Sequence, residues 1–397
     1  MSQKVTIVTS DVVKIRPFVD KEQIKEIAEK CFGLQIDECS EIKEAISYDD
    51  RNFIFKGKLN ARGNQTDEVY QCFDKFVLKI YNASQTPGFP WFSHINGMVA
   101  AIYEKCQNNF KVPLPIGDVK SNGNCVLYDI PLEKNVEASE ELLQELCLNN
   151  KFVSKENSWY FVKHVVRLTA FIPGQVIEIK SMDDDMAFCY GKCAAQLDTV
   201  LKTFPKPHVD YRSDSEWNMV NIDKMLDLCI STMTNEERKG RAVDLINKFK
   251  SNVVPKLENL PKQWIHSDIN EFNVLKNNYD KIVGIIDFDD MTYSYRVIDV
   301  GIALMHISYS ATKERCFRNI QQFLRGYISI SPLEKNEINL LYTIMLARYI
   351  QCSIAGEYWY NCIAPGNEYL LVVPNQAWNT LSYIMNEGES KFYEVIS

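Results

Sequence analysis

The sequence predicts an α+β protein of two lobes, a small N-terminal sheet lobe and a larger, mainly helical C-terminal lobe. Three observations carry this. Strand-like apolar runs crowd the first part of the chain, at 53–55, 75–80, 112–116, 124–130 and 160–172. Pro173-Gly174 then breaks the pattern. Beyond the break, apolar residues recur mostly at helical spacing. The expected organisation is an N-terminal lobe over 1–170, a junction over 171–176 and a C-terminal lobe over 177–397.

Along the chain, 20–33 reads as an amphipathic helix, because Ile24, Ile27, Ala28 and Cys31 recur at helical spacing and Gly33 supplies a stop. Lys75-Phe76-Val77-Leu78-Lys79-Ile80 is a strand, and the glycine- and asparagine-bearing stretch 57–70 connects it to the strand before it. Residues 93–106 read as a helix, and 132–151 as an acidic, leucine-rich insertion. C-terminal helices are expected at 183–204, 221–232, 235–257, 313–327, 333–359 and 374–389. Among them lies one strand-rich island, 264–290, in which two apolar runs flank a polar turn at 276–280, a hairpin pattern.

Composition narrows the function classes. The 397 residues are 46% hydrophobic and 24% charged, with a formal net charge of −8. No lysine/arginine block of useful length is present, which argues against a nucleic-acid partner, and no basic amphipathic stretch points to a membrane surface. The N-terminus lacks a signal-peptide pattern, and no run of 18 apolar residues occurs, so a cytoplasmic protein is expected. The twelve cysteines form no C-x-x-C pair, so reduced thiols are expected rather than zinc or disulfides.

The island places polar residues at the ends of apolar runs. Asp268 and Asn273 are five positions apart, and Asp287 follows Asn273 after one hairpin length, which brings the last two together. That gives two oxygen ligands suited to a hard cation and a nearby carboxylate. Magnesium-dependent phosphoryl transfer needs these parts: a charge-neutralising ion, and a base that orients a hydroxyl and takes its proton.

IHSDINEFNVL followed by VGIIDFDD resembles the aminoglycoside phosphotransferase group of kinase-like enzymes, whose pattern is H-x-D-x-x-x-x-N, a short hairpin and I-D-[FW]-[DEG]. The resemblance implies a bilobal protein-kinase-like fold, Asp268 as catalytic base, His266 as a brace of its loop, Asn273 and Asp287 as Mg²⁺ ligands, and GTP or ATP as donor. Lys79 takes the place of the strand lysine that meets nucleotide phosphates in kinases. Ser47, Tyr48 and Asn52 lie where a phosphate-covering hairpin is expected, here without glycines, and Phe171 lies in the purine-binding hinge. One departure stands out: Ser93, His94 and Asn96 occupy the helix where a glutamate partner for Lys79 is expected.

SYDDRNF, VLKI, VVRLTAFIPG, IIDFDDMTYSYRVIDVGIAL and LARYIQCSIAGEYW, in this order, are similar to the narrower group of that family that phosphorylates free 5-hydroxylysine. A zwitterion with an extra ammonium needs a cation for its carboxylate and carboxylates for its amines. The expected acceptor-binding residues are therefore Arg348, Gln351, Glu357, Asp289 and Trp217, with Asp268. Other small alcohols (choline, ethanolamine, a sugar, an aminoglycoside) and a non-catalytic pseudokinase remain the alternatives.

Overall fold

A computed structural model describes residues 6–9, 12–14, 17–47, 50–60, 70, 72–83, 88–106, 108–120, 123–131, 153–156 and 159–397. The expected insertion at 132–151 and most of the 57–70 connection lie outside these residues. The chain divides into two units, 1–101 with 113–171 and 102–112 with 172–397. The segment 102–112, placed by the sequence in the N-terminal lobe, groups with the second unit.

The first unit begins with the strands β1 (Thr6–Thr9) and β2 (Val12–Lys14), an antiparallel ribbon. Helix α1 (Lys21–Phe32) starts at a capping box: Asp20 accepts the Gln23 N–H at 2.8 Å while Gln23 accepts the Asp20 N–H at 2.9 Å. It ends at Gly33, whose φ of 65° closes the last turn. The strands β3 (Leu34–Ile36), β4 (Lys43–Ala45), β5 (Arg51–Leu59) and β6 (Lys75–Ile80) follow, then helix α2 (Phe89–Cys106). The strands β7 (Val126–Pro131), β8 (Val153–Glu156) and β9 (Trp159–Ala170) complete an antiparallel sheet of order β3-β5-β6-β9-β7, with β4 on β5 and β8 on β9. Period-two alternation sets its faces: Phe76, Leu78 and Ile80 join Phe53, Phe55 and Leu168 against Ile24, Ile27 and Phe32 of α1. Each such side chain stabilises by roughly 1.5–3 kcal/mol on burial. Lys79 therefore points to the opposite face.

The second unit carries β10 (Gln175–Val176), α3 (Asp184–Leu201), α4 (Ile222–Cys229), α5 (Glu236–Asn252), α6 (Val254–Leu257), β11 (Lys262–Ile265), β12 (Val274–Lys276), β13 (Ile282–Ile285), β14 (Thr292–Tyr295), α7 (Arg296–Ser308), α8 (Lys313–Ile328), α9 (Lys335–Ile338), α10 (Leu341–Tyr358) and α11 (Pro374–Ile396). The expected helix over 333–359 is thus two helices. Two small antiparallel sheets, β10-β12-β13 and β11-β14, sit among the helices. Helices α3 and α8 approach through reciprocal notches: a Cβ on Gly191 would lie 1.9 Å from the Phe323 carbonyl oxygen, and one on Gly326 1.9 Å from that of Phe188. Lys335–Ile363 is long and apolar enough to pass for a membrane span, but 83% of its most apolar window is buried within the fold, as in a core helix.

Candidate active site

Strand β11 is locked to β14 over four residue pairs, from Lys262 opposite Tyr295 to Ile265 opposite Thr292, and delivers the chain to His266. Asp299 in the first turn of α7 then captures the loop. Its two carboxylate oxygens accept the backbone N–H groups of His266 at 2.9 Å and Ser267 at 2.8 Å. Ser267 needs this support, because its φ of 68° lies in the left-handed region that disfavours a side chain. His266 is fully buried, its ring centre lies 4.8 Å from that of Phe288 with the planes tilted at 59°, and it donates from Nε2 to the Ile286 carbonyl at 3.1 Å and accepts the Asp268 N–H on Nδ1 at 3.3 Å. These bonds fix its tautomer and make it a brace.

Burial pushes the carboxyls of both Asp299 and Asp198 upward, and the charge of Asp299 pushes Asp198 further. The two backbone N–H groups favour charge on Asp299, so Asp198 is pushed the further of the two towards its protonated form. At the far end of the loop Glu271 is held by α7 and its cap. It accepts the Tyr309 hydroxyl and lies 3.3 Å from His306 Nδ1. Burial opposes charge on His306, but Cys352 and Glu271 outweigh it and raise its pKa to about 9.

Asp268, between these anchors, has both oxygens occupied. Oδ2 accepts from the side-chain amides of Asn270 at 2.8 Å and Asn273 at 2.9 Å, and Oδ1 accepts from Arg348 at 2.9 Å. The Asn273 amide nitrogen also donates to the Asp268 carbonyl at 2.9 Å. With its nitrogen so used, Asn273 keeps Oδ1 as an acceptor. Asn273 ends the hairpin opposite Ile286, whose N–H it receives at 2.8 Å, so Asp287 comes next on the facing strand. Asp287 has a φ of 61°, a second non-glycine residue in the left-handed region. An amide oxygen and a carboxylate on neighbouring strand ends suit a hard cation completed by phosphate oxygens and water. The donor set therefore fits magnesium.

Arg348, on α10, is 3% exposed and donates to Gln351 at 2.7 Å as well as to Asp268. Gln351 in turn donates to the carbonyls of Glu216 at 2.9 Å and Trp217 at 3.2 Å, and the Trp217 ring centre lies 5.8 Å from the guanidinium carbon. A small cavity opens here, lined by Arg212, Trp217, Ser267, Asp290, Thr292 and Arg348 among others.

Four of the expected acceptor residues, Asp268, Arg348, Gln351 and Trp217, thus gather. Two stand elsewhere. Glu357 accepts from Arg238 at 2.8 Å and from the Trp378 indole at 2.9 Å, nine residues along the helix from Arg348, about 13 Å. Asp290, rather than Asp289, lines the cavity, while the Asp289 carbonyl accepts from Arg212 at 3.2 Å. Arg212 was missed by sequence reading: it sits in a turn without periodicity and enters the site only through the fold.

In the first unit, Lys79 stands opposite Asn52 of β5 and Arg167 of β9. Its carboxylate partner is Asp50, at 3.2 Å, and its ammonium lies 4.9 Å from the Tyr81 ring centre. Asp50 also accepts the Asn82 N–H at 2.7 Å. The helix position searched for a glutamate holds Asn96, which accepts from Arg167 at 3.0 Å. Ser47 donates its hydroxyl to the Asp50 carbonyl, closing the turn before β5. Tyr48 lies outside the described residues. Phe171, in the expected hinge, donates its N–H to the Lys75 carbonyl at 2.9 Å.

Comparison with known proteins adds family context. Residues 155–333 match the model described as "Phosphotransferase enzyme family". Hydroxylysine kinase of Mus musculus is 24% identical over 402 residues, covering 96% of this chain and 93% of the relative. Among solved structures, an amicoumacin kinase in complex with AMP-PNP and Ca²⁺ superposes with a TM-score of 0.57 at 12% identity, over 95% of this chain and 97% of its own. A microcompartment-associated aminopropanol kinase gives 0.56 at 12% identity, over 95% and 100%. These likenesses establish a kinase-like fold and relate the chain to phosphotransferases.

Proposed function

We propose that this small-molecule kinase transfers the terminal phosphate of GTP or ATP to the side-chain hydroxyl of free 5-hydroxy-L-lysine. The observation that carries the reading is the bonding of Asp268: a carboxylate held by Asn270, Asn273 and Arg348, on a loop fixed by Asp299, beside the oxygen donors Asn273 and Asp287. Near-full-length similarity to hydroxylysine kinases supports the acceptor.

In this reading the acceptor hydroxyl donates to Asp268. Asp268 takes the proton as the oxygen bonds to the terminal phosphorus, and the nucleoside diphosphate leaves with the pair of the broken P–O bond. Arg348, Asn270 and Asn273 keep Asp268 in one orientation, so little reorganisation accompanies the transfer. Asn273 and Asp287 would hold magnesium, which when bound neutralises phosphate charge. Lys79, steadied by Asp50, would meet the donor's phosphates.

The test offers the protein, with Mg²⁺ and GTP or ATP, a panel of 5-hydroxylysine, choline, ethanolamine, aminopropanol and an aminoglycoside, and follows diphosphate release. Phosphorylation of 5-hydroxylysine with the highest kcat/KM is expected. Turnover of choline or an aminoglycoside with none of 5-hydroxylysine would sink the assignment.

A further inference from the structure

The cavity beside Asp268 has a chemistry that phosphoryl transfer to an alcohol does not itself require. We propose that Arg212 and Arg348 form a seat for the α-carboxylate of an amino-acid acceptor, so that the enzyme reads the acceptor's carboxylate as well as its hydroxyl. This rests on the acceptor class proposed above, which it deepens.

Two guanidinium groups line one small cavity, and each comes from a different element: Arg348 from α10, Arg212 from the turn before α4. Of the five N–H bonds of Arg348, one goes to Asp268 and one to Gln351. Its Nε is buried without a partner, and so is the hydroxyl of Ser267 in the same cavity wall. Both can donate, while the carboxylate in the same wall, Asp290, lies 3.4 Å from Arg212. A buried unmatched donor is costly, and a carboxylate supplies acceptor oxygens and the charge to oppose a guanidinium. Thr292, Trp217, Ser215, Asn218 and Asp290 complete the wall. The wall is also fixed in advance, because Gln351 ties the Glu216 and Trp217 carbonyls to α10.

The position matters as much as the chemistry. Ser267 precedes Asp268, and Arg348 touches both Asp268 and the cavity, so the seat adjoins the base. In 5-hydroxylysine three carbons separate the carboxylate from the carbinol. An acceptor anchored by its carboxylate presents a distal hydroxyl to Asp268, whereas an amino alcohol lacking the carboxylate has nothing to hold it in register. Arg212 is free to lean on the ligand because its present contacts are modest, a 3.4 Å approach to Asp290 and a 3.2 Å bond to the Asp289 carbonyl.

The experiment measures kcat/KM for 5-hydroxylysine and for its carboxamide, which keeps the shape and loses the charge, with wild type, R212M and R212K. The wild type should prefer the carboxylate by roughly a hundredfold, and R212M should lower kcat/KM for the acid roughly tenfold or more beyond its effect on the amide, with R212K between. Equal losses on both acceptors would overturn the inference and assign the arginines to the transferring phosphoryl group. Titration calorimetry with lysine, which cannot react, gives a second readout: binding to wild type and its loss in R212M are expected, and binding unaffected by R212M counts against the seat. Should the wild type use another carboxylate-bearing alcohol in place of 5-hydroxylysine with the same charge preference, the acceptor reading falls and the seat stands. Use of carboxylate-free alcohols alone overturns both.

Discussion

Asp299 accepts the N–H of Ser267 at 2.8 Å and so holds a serine at a φ of 68°. Burial and the charge of Asp299 push the carboxyl of Asp198 well up, towards its protonated form. The isosteric changes should therefore differ. D299N sets an amide donor against a backbone donor and should cost about 2–3 kcal/mol together with most of the activity. D198N replaces a neutral acid by a neutral amide and should cost under about 1 kcal/mol. Urea unfolding of the two variants checks this; equal losses would mean that Asp198 carries the charge.

D268N should lower kcat by roughly 10²–10⁴ while leaving nucleotide binding in place. It also removes the anion opposite a 3%-exposed arginine, so the melting temperature should fall by a few degrees. Adding R348M should recover part of that stability but none of the activity.

Lys79 and Asp50 form a half-buried pair. K79M should raise the KM for the nucleotide about tenfold or more, with little change in acceptor KM, and D50N should give a smaller effect in the same direction. An altered acceptor KM with an unchanged nucleotide KM would place Lys79 outside the donor site.

Chelation of divalent ions should abolish turnover, and magnesium should restore it. N273A and D287A should each raise the magnesium concentration for half-maximal activity about tenfold or more. Full activity of either variant in excess chelator would remove these residues from metal binding.

The His306 pKa, raised from 6.5 to about 9, sets a pH dependence. The folded protein binds the proton more tightly than the unfolded chain. Its contribution is therefore complete below about pH 6.5 and is lost as pH rises through about 9, on the order of 3 kcal/mol for this buried group. His164 has the opposite sign: burial lowers its pKa to about 4, so stability is lost as pH falls from about 6.5 towards 4. Urea unfolding at pH 7 and pH 9.5 should show H306Q losing the alkaline slope of the wild type. Parallel slopes would sink this assignment.

Much of the site was readable in the chain because its spacing is local. Asp268, Asn273 and Asp287 sit on one loop and one hairpin, where sequence distance fixes spatial distance. The helix that holds them was not readable. Helix α7 is buried on every side from Val297 to Ser308, so it shows no apolar stripe against a polar one. Asp50 was hidden for another reason: it reaches Lys79 across paired strands, and the glutamate expected on a helix drew attention to α2 instead. The contacts of Glu357 were not readable either, because polar residues on one helix look alike until their neighbours, here Arg238 and Trp378, are known.

Helix α7 grips the 266–271 loop at two points two turns apart, Asp299 at its start and His306 with Tyr309 at its end. The cavity beside Asp268 takes part of its wall from elsewhere, Arg348 from α10 and Arg212 and Trp217 from the segment before α4. Arg348 and Ser267 belong at once to the wall and to the support of Asp268, whereas Arg212 and Trp217 stand on a separate segment. On the proposed reading, exchanging Arg212 or Trp217 should alter what is recognised while Asp299, Asn270, Asn273 and Arg348 keep hold of the base. For protein engineering this makes the chain a chassis: new acceptors are sought by varying the cavity wall, with α7 left intact.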